Sequence, residues 1–161
     1  MAGRVSNPRD LLVLLLGEVL YVERRLAAEV LRSLIDAVRD DELAGVLRGH
    51  LEETKQHVER VEMAFRRLEL APSAHLSRPF ESAVAQHDQL APEMVEPSLA
   101  DVFHAQAGLQ TEYWEIAAYT TVLELARRFD ADLGLLEDSL AEELRAREYL
   151  GTVIARLASG V

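Results

Sequence analysis

Apolar residues recur along this chain at the three- and four-residue spacing of amphipathic helices, in four long stretches. The first stretch opens at Asn7, a capping residue, followed by Pro8 in the first turn and Asp10 against the helix dipole. It runs without a breaker to about Arg39. Asp40 or Asp41 caps a second helix that continues to about Glu69 and stops before Pro72. Two helices of this length joined by so short a turn must lie antiparallel. Residues 71–97 differ, with Pro72, Pro79, Pro92 and Pro97 around one helical stretch near Phe80–Leu90. Ser98 is then the expected cap of a third helix, with Asp101 completing a capping box, and this helix extends to about Arg128. Asp130 is the expected cap of a fourth, which reaches about Ala158 before Gly160. The pattern predicts an all-α, ferritin-like antiparallel four-helix bundle: two hairpins joined by a long crossover that carries a short extra helix.

The two hairpins form an imperfect repeat. L-Y-V-E-R-R-L-A-A-E-V-L in the first helix aligns with E-Y-W-E-I-A-A-Y-T-T-V-L in the third, setting Glu23 on Glu115. H-L-E-E in the second aligns with S-L-A-E in the fourth, setting Glu53 on Glu142.

Composition narrows the class. At 161 residues, 49% hydrophobic and 28% charged, residues 1–161 suit one globular domain rich in helix formers. A net charge of −11 argues against nucleic acid and anionic membranes as partners. The absence of cysteine excludes disulfides, thiolate metal sites and iron–sulfur clusters, leaving Glu, Asp and His as ligands suited to iron, manganese or zinc. The apolar run Leu11–Leu20 is too short to span a bilayer and contains Glu18, so it reads as a buried helix start in a cytoplasmic protein.

Candidate chemistry sits near the middle of each helix. In the second, His50, Glu53, Thr54 and His57 lie within or beside the apolar stripe of Leu43, Leu47, Leu51, Val58 and Val61, and so are expected to point inward. Glu53 and His57, four apart, can present two ligands to one metal. Glu23 follows an apolar turn in the first helix. Glu112 and Glu115 lie among apolar residues in the third, as do Glu142 and Glu143 in the fourth, and within each of these two pairs either member could be the ligand. Four inward carboxylates on one axis would repel strongly without a cation, and a dinuclear centre turns that repulsion into binding. Each acidic residue taken singly reads as a solvated surface group. His75, His87 and His104 are expected at the surface, and Tyr21, Tyr113, Trp114, Tyr119 and Tyr149 as packing aromatics.

H-L-E-E-T-K-Q-H-V-E-R (50–60) and E-Y-W-E-I-A-A-Y-T-T (112–121) resemble the corresponding segments of the YciE/YciF family of ferritin-like bacterial stress proteins. The resemblance extends from about Leu11 to Ile154 and implies a ferritin-like bundle, a homodimer, and a dimetal site with no established reaction. Carried over by position, the ligands it implies are Glu23, Glu53, His57, Glu112, Glu115 and either Glu142 or Glu143. Two positions depart from the family pattern: Tyr113 replaces a histidine and Arg147 a late acidic residue, so one strong metal position, or none, is the alternative to two. The resulting expectation is a metalloprotein with iron or manganese, serving as an oxidase or in peroxide chemistry under stress. Here Glu53 and one glutamate of the fourth helix would bridge and His57 would be a terminal ligand. The rival is a non-catalytic bundle for dimerisation or partner binding, with a degenerate metal site.

Overall fold

The structure, a computed structural model, describes residues 5–161. The helices are α1 (Pro8–Arg25), a π-helical turn (Leu26–Val30), α2 (Leu31–Ala37), α3 (Asp41–Arg67), α4 (Arg78–Leu90), a short 3-10 turn (Ala91–Glu93), α5 (Pro97–Arg127) and α6 (Leu135–Ala158). Packing runs α1–α3–α6–α5 and back to α1, a four-helix ring in which the two hairpins lie side by side. The ferritin-like connectivity expected from the sequence is therefore present. Among the described residues no helix is long and apolar enough to cross a membrane.

The first two caps form as the sequence implies. Asn7 accepts from the Asp10 N–H at 2.9 Å, and Asp40 accepts from the Leu43 N–H at 2.8 Å. The next two do not. The third long helix starts at Pro97, and its N-cap Glu96 makes no side-chain capping bond. Asp101 instead accepts from the backbone N–H groups of Arg39 and Asp40, at 2.9 and 3.0 Å, and so ties down the turn between α2 and α3. Asp130 ends α5 rather than capping α6: it takes φ of 50°, and the Ala131 N–H reaches back to the Ala126 carbonyl. The fourth helix then begins five residues later, at Leu135.

A further difference lies within the first hairpin. The sequence suggests one unbroken helix to Arg39, but a π turn interrupts it, with the Leu31 N–H bonding five residues back to the Leu26 carbonyl. Leu26–Val30 contains neither Gly nor Pro, so nothing local announces it. Such single wide turns occur frequently at functional sites, and this one begins three residues beyond Glu23.

Apolar packing divides into two clusters, one at each end of the bundle. One gathers Leu12, Leu16, Leu20, Val61, Phe65, Val122 and Leu136; the other gathers Leu26, Leu34, Leu43, Leu47, Ala105, Leu150 and Val153. Between them, at mid-length on every long helix, lies a layer of buried polar side chains. The crossover packs against the bundle. Phe80 of α4 enters the second cluster, Glu81 accepts from Tyr21 and Arg25, and His87 meets His104 of α5 at 2.9 Å. His104 is thus buried rather than at the surface, and burial together with His87 pushes its pKa down.

The extended part of the crossover runs against α1 at Gly17. The His75 N–H bonds to the Gly17 carbonyl at 2.8 Å, and a Cβ at Gly17 would lie 2.0 Å from the His75 ring and 2.8 Å from the Ser73 carbonyl oxygen. Gly17→Ala should therefore destabilise by about 1–3 kcal/mol through overpacking, even though alanine is the better helix former by about 1 kcal/mol. Gly151→Ala, with no neighbour within 4 Å, should show only the helix-forming gain. Urea unfolding of the two variants tests this, and equal shifts of the same sign would refute the close approach.

Candidate metal centre

The polar layer is built from Glu23 on α1, His50 and His57 on α3, Glu112 and Glu115 on α5, and Glu143 on α6, all of them buried. Each helix supplies its part through register. On α3 the buried stripe passes through Leu47, His50, Leu51, Thr54, His57 and Val61, so both imidazoles ride the face that packs the core. On α5, Glu112 and Glu115 are one turn apart on the stripe that continues to Tyr119 and Val122.

Two groups of donor atoms result, each with its atoms within 4.8 Å of one another: Glu23, His57 and Glu143; and His50, Glu112, Glu115 and Glu143. Glu143 belongs to both. His57 Nδ1 lies 3.2 Å from Glu23 Oε1 and 2.9 Å from Glu143 Oε1. His50 Nε2 lies 3.3 Å from Glu112 Oε1 and 3.8 Å from Glu143 Oε2.

The three shorter approaches lie off the directions that hydrogen bonds require, and the fourth is too long for one. Glu23 Oε2, Glu112 Oε2, both oxygens of Glu115 and of Glu143, and Nδ1 of both histidines are buried without a hydrogen-bond partner. An unmet buried polar group costs about 1–3 kcal/mol, and more when charged, so a layer of them is a poor structural core. Oxygen and imidazole donors converging without mutual hydrogen bonds are what a divalent cation needs. The residues fit a metal.

Protonation follows from the same crowding. Burial, reinforced by neighbouring carboxylates, holds Glu112 and Glu115 well above the usual carboxylate range, and burial raises Glu23 as well. Burial works against a charged His57, but Glu23 and Glu143 outweigh it and its pKa is pushed up to about 11. Glu143 is also opposed by burial, yet His57 and His50 bring it below the ordinary value.

Around the donors stands a supporting set. Tyr119, buried beneath the site, donates its hydroxyl to Glu23. His57 Nε2 lies 2.8 Å from Glu142 Oε2, and Arg60 bonds Glu142 and reaches Ser139 Oγ at 3.1 Å. A histidine that donates through Nε2 keeps Nδ1 as its lone-pair atom. In the metal-binding form this turns Nδ1 towards Glu23 and Glu143.

The structure thus brings Glu23, His57, Glu112, Glu115 and Glu143 together. It does not bring in Glu53, whose side chain is 35% exposed, 3.8 Å from His50 Nδ1 and 3.8 Å from Arg145. Glu142 touches the layer only through the outer nitrogen of His57. His50 joins the layer as a donor not expected among the ligands, although its place on the inward face of α3, seven residues before His57, is the signal that marks it. The two departures from the family pattern cost no buried donor, since Tyr113 is 57% exposed and Arg147 turns to Glu148.

Fold and site together define a ferritin-like four-helix bundle with a buried carboxylate–histidine layer that could hold metal. Within that class the chain belongs to the DUF892 family, a domain of unknown function, whose profile matches residues 7–159. Its fold is shared by the E. coli stress protein YciF, 22% identical over 96% of this chain and 99% of that one, with a TM-score of 0.89. YcfI from Rhodopseudomonas palustris is similar too: 26% identical over 94% and 98%, with a TM-score of 0.90. No curated protein sequence matches the chain.

Proposed function

We propose that this chain is a metalloprotein with a dinuclear iron or manganese centre in the mid-bundle layer. Glu23 and His57 would hold one ion, His50, Glu112 and Glu115 the other, and Glu143 would be shared. The observation that carries the reading is the set of unpartnered buried donor atoms on four helices, sorted into two groups around one carboxylate. Ferritin-like dimetal proteins commonly take a Glu from each of two helices and a Glu-x-x-His pair from each of the other two. This chain would reach the same complement of four carboxylates and two imidazoles by another distribution. Both histidines come from α3, where Thr54 stands three residues before His57, and α6 offers Ala146 three residues after Glu143.

Iron or manganese there would supply redox chemistry towards dioxygen or peroxide, in keeping with the stress role of YciF. The protein's own part is to exclude water with the apolar clusters on either side, to hold His57 by Glu142 and Arg60, and to hold Glu23 by Tyr119. Homodimerisation, implied by the family resemblance, belongs to the same reading and is checked by sedimentation equilibrium.

Protein reconstituted with ferrous or manganous ion should carry about two ions per chain. Chelation should lower its stability by about 2.7 kcal/mol for each ion lost, relative to a hundredfold excess of ion over Kd, or about 5–10 °C in Tm per ion for a domain of this size. Less than a tenth of an equivalent after reconstitution, with an unchanged melt, would favour the non-catalytic rival. The comparison of His50→Ala with Glu53→Ala separates the geometric ligand set from the one implied by family position. The first should lose one ion of the pair and the second neither.

A further inference from the structure

A cavity of about 740 Å³ lies between the crossover and the bundle and has His50 and Glu112 in its wall. The geometry points to a binding site for an uncharged, largely apolar organic molecule, seated with one end against the metal layer. This inference deepens the proposed function, on which the role of that inner end rests.

Four observations support it. The volume suits a small organic ligand, for which cavities of roughly 300–1,000 Å³ are usual. The lining is chiefly apolar: Leu26, Leu31, Phe80, Val84, Phe103 and Trp114 come from the first hairpin, α4 and α5. The inner wall carries two side chains that are buried and incompletely bonded, His50 through Nδ1 and Glu112 through Oε2. Finally, the π turn forms one side, since Leu26, Glu29 and Val30 all face the space. The wide turn, unexplained by its own sequence, thus has a place in shaping the cavity.

Charge selects the class of ligand. The cation in the lining, Arg25, is already paired with Glu29 and Glu81, while Glu29 and Asp88 stand nearby. In the metal-free protein an anionic ligand would meet no free arginine or lysine there and would approach a chain of net charge −11. A strongly cationic one would forfeit its hydration among apolar walls. A neutral molecule meets neither cost.

One wall is α4, which is pinned to α5 where His87 stacks on Phe103, with centroids 5.2 Å apart and planes at 6°, and bonds His104. The site therefore lies beneath the crossover, whose α4 packs Phe80 into the second apolar cluster.

Trp114 is the single tryptophan of the chain and faces the cavity, so it reports on occupancy. N-phenylnaphthylamine, an uncharged aromatic amine that accepts tryptophan emission, should bind metal-free protein at one saturable site and quench Trp114. The anionic anilinonaphthalene sulfonate should bind at least about tenfold more weakly. Ala107→Phe on α5 and Ser33→Phe on α2, both in the lining and neither a donor residue, should each weaken the neutral probe about tenfold or more by filling the space. Ser33 is exposed, so that variant carries the test should Ala107→Phe fail to fold. On protein loaded with manganous ion, the bound probe's proton resonances should broaden beyond the effect of the same ion free in solution.

Probe binding that is insensitive to both variants, or preference for the anion, overturns the inference and leaves the metal centre standing. Binding without paramagnetic broadening on manganese-loaded protein overturns the link between cavity and centre. Variant-sensitive binding by a protein that takes up no metal refutes the metalloprotein reading instead and leaves the cavity as a ligand site.

Discussion

Glu143→Gln should abolish metal binding at both positions, whereas no other single substitution in the layer should do so. Its carboxylate faces His57 through one oxygen and His50 through the other, at 2.9 and 3.8 Å, and it is common to both groups of donors. The amide keeps the shape but loses the charge, and it offers one acceptor where two ions need one each. Losing an outer hydrogen-bonding partner of a ligand costs about 10–100-fold in metal affinity, and losing a shared ligand should exceed that at each position. Elemental analysis after reconstitution should find close to no metal in Glu143→Gln, one ion in His50→Ala, and the full complement in Glu53→Gln. The metal-free variant should still fold, because removing one buried carboxylate also relieves repulsion on Glu112 and Glu115. Full occupancy in Glu143→Gln would mean that the two groups do not share a ligand.

Glu142→Gln belongs beside it as the graded case. Glu142 reaches the layer only by way of His57 and is itself held by Arg60. Its loss should weaken metal binding by about 10–100-fold without changing the number of ions held at saturation. Stoichiometry and affinity thus separate a ligand from the residue that orients one.

The fold was legible because helix periodicity, the caps at Asn7 and Asp40 and the prolines of the crossover all act locally. The Asp101 and Asp130 assignments failed because each side chain had a competing use. Asp101 finds two backbone N–H groups from the turn before α3, sixty residues earlier in sequence, and Asp130 takes the left-handed position that closes α5. Neither use is visible in the neighbouring residues.

The candidate site was legible in its helices but only partly in its residues. The internal repeat set Glu23 on Glu115, and both lie in the buried layer. It also set Glu53 on Glu142, and both lie at the margin, while the positions one residue on, Thr54 and Glu143, face the axis. Periodicity cannot resolve neighbours at the edge of a helical stripe, since adjacent residues differ by about 100° and an apolar face is about that wide. Thr54 also shows where the repeat ceases to guide chemistry: its hydroxyl turns back to the His50 carbonyl at 2.8 Å, and His50 stands in the layer one turn away. The π turn and the buried His87–His104 contact depend on packing between distant segments, and the sequence carries no local mark of either.

Metal uptake should release protons near neutral pH, one of them from His57, and the apparent affinity should rise by about tenfold per pH unit for each proton released. The cause is the protonation state of the metal-free layer. Glu23, Glu112 and Glu115 hold protons above their ordinary value of 4.5, chiefly because burial penalises their charged forms. His57, pushed up to about 11, is an imidazolium at pH 7, with a proton on the Nδ1 that faces Glu23 and Glu143. A metal ion replaces those protons as the positive charge of the layer, and each must leave for its donor atom to bind. The linkage has a definite sign. All four groups bind protons more tightly folded than unfolded, so the stability they contribute is present at low pH and is lost as pH rises through their raised values. Glu142 and Glu143, both held below the ordinary value, act oppositely, but their contribution is lost only as pH falls below about 4.5 and is constant at neutral pH. The difference in Tm between metal-saturated and metal-free protein should therefore widen from about pH 6 to pH 8, as binding strengthens while the metal-free form weakens. Titration in weak buffer with a pH indicator measures the protons directly. Uptake with no proton released would mean that His57 is already neutral, contrary to the pull of Glu23 and Glu143 on its charged form.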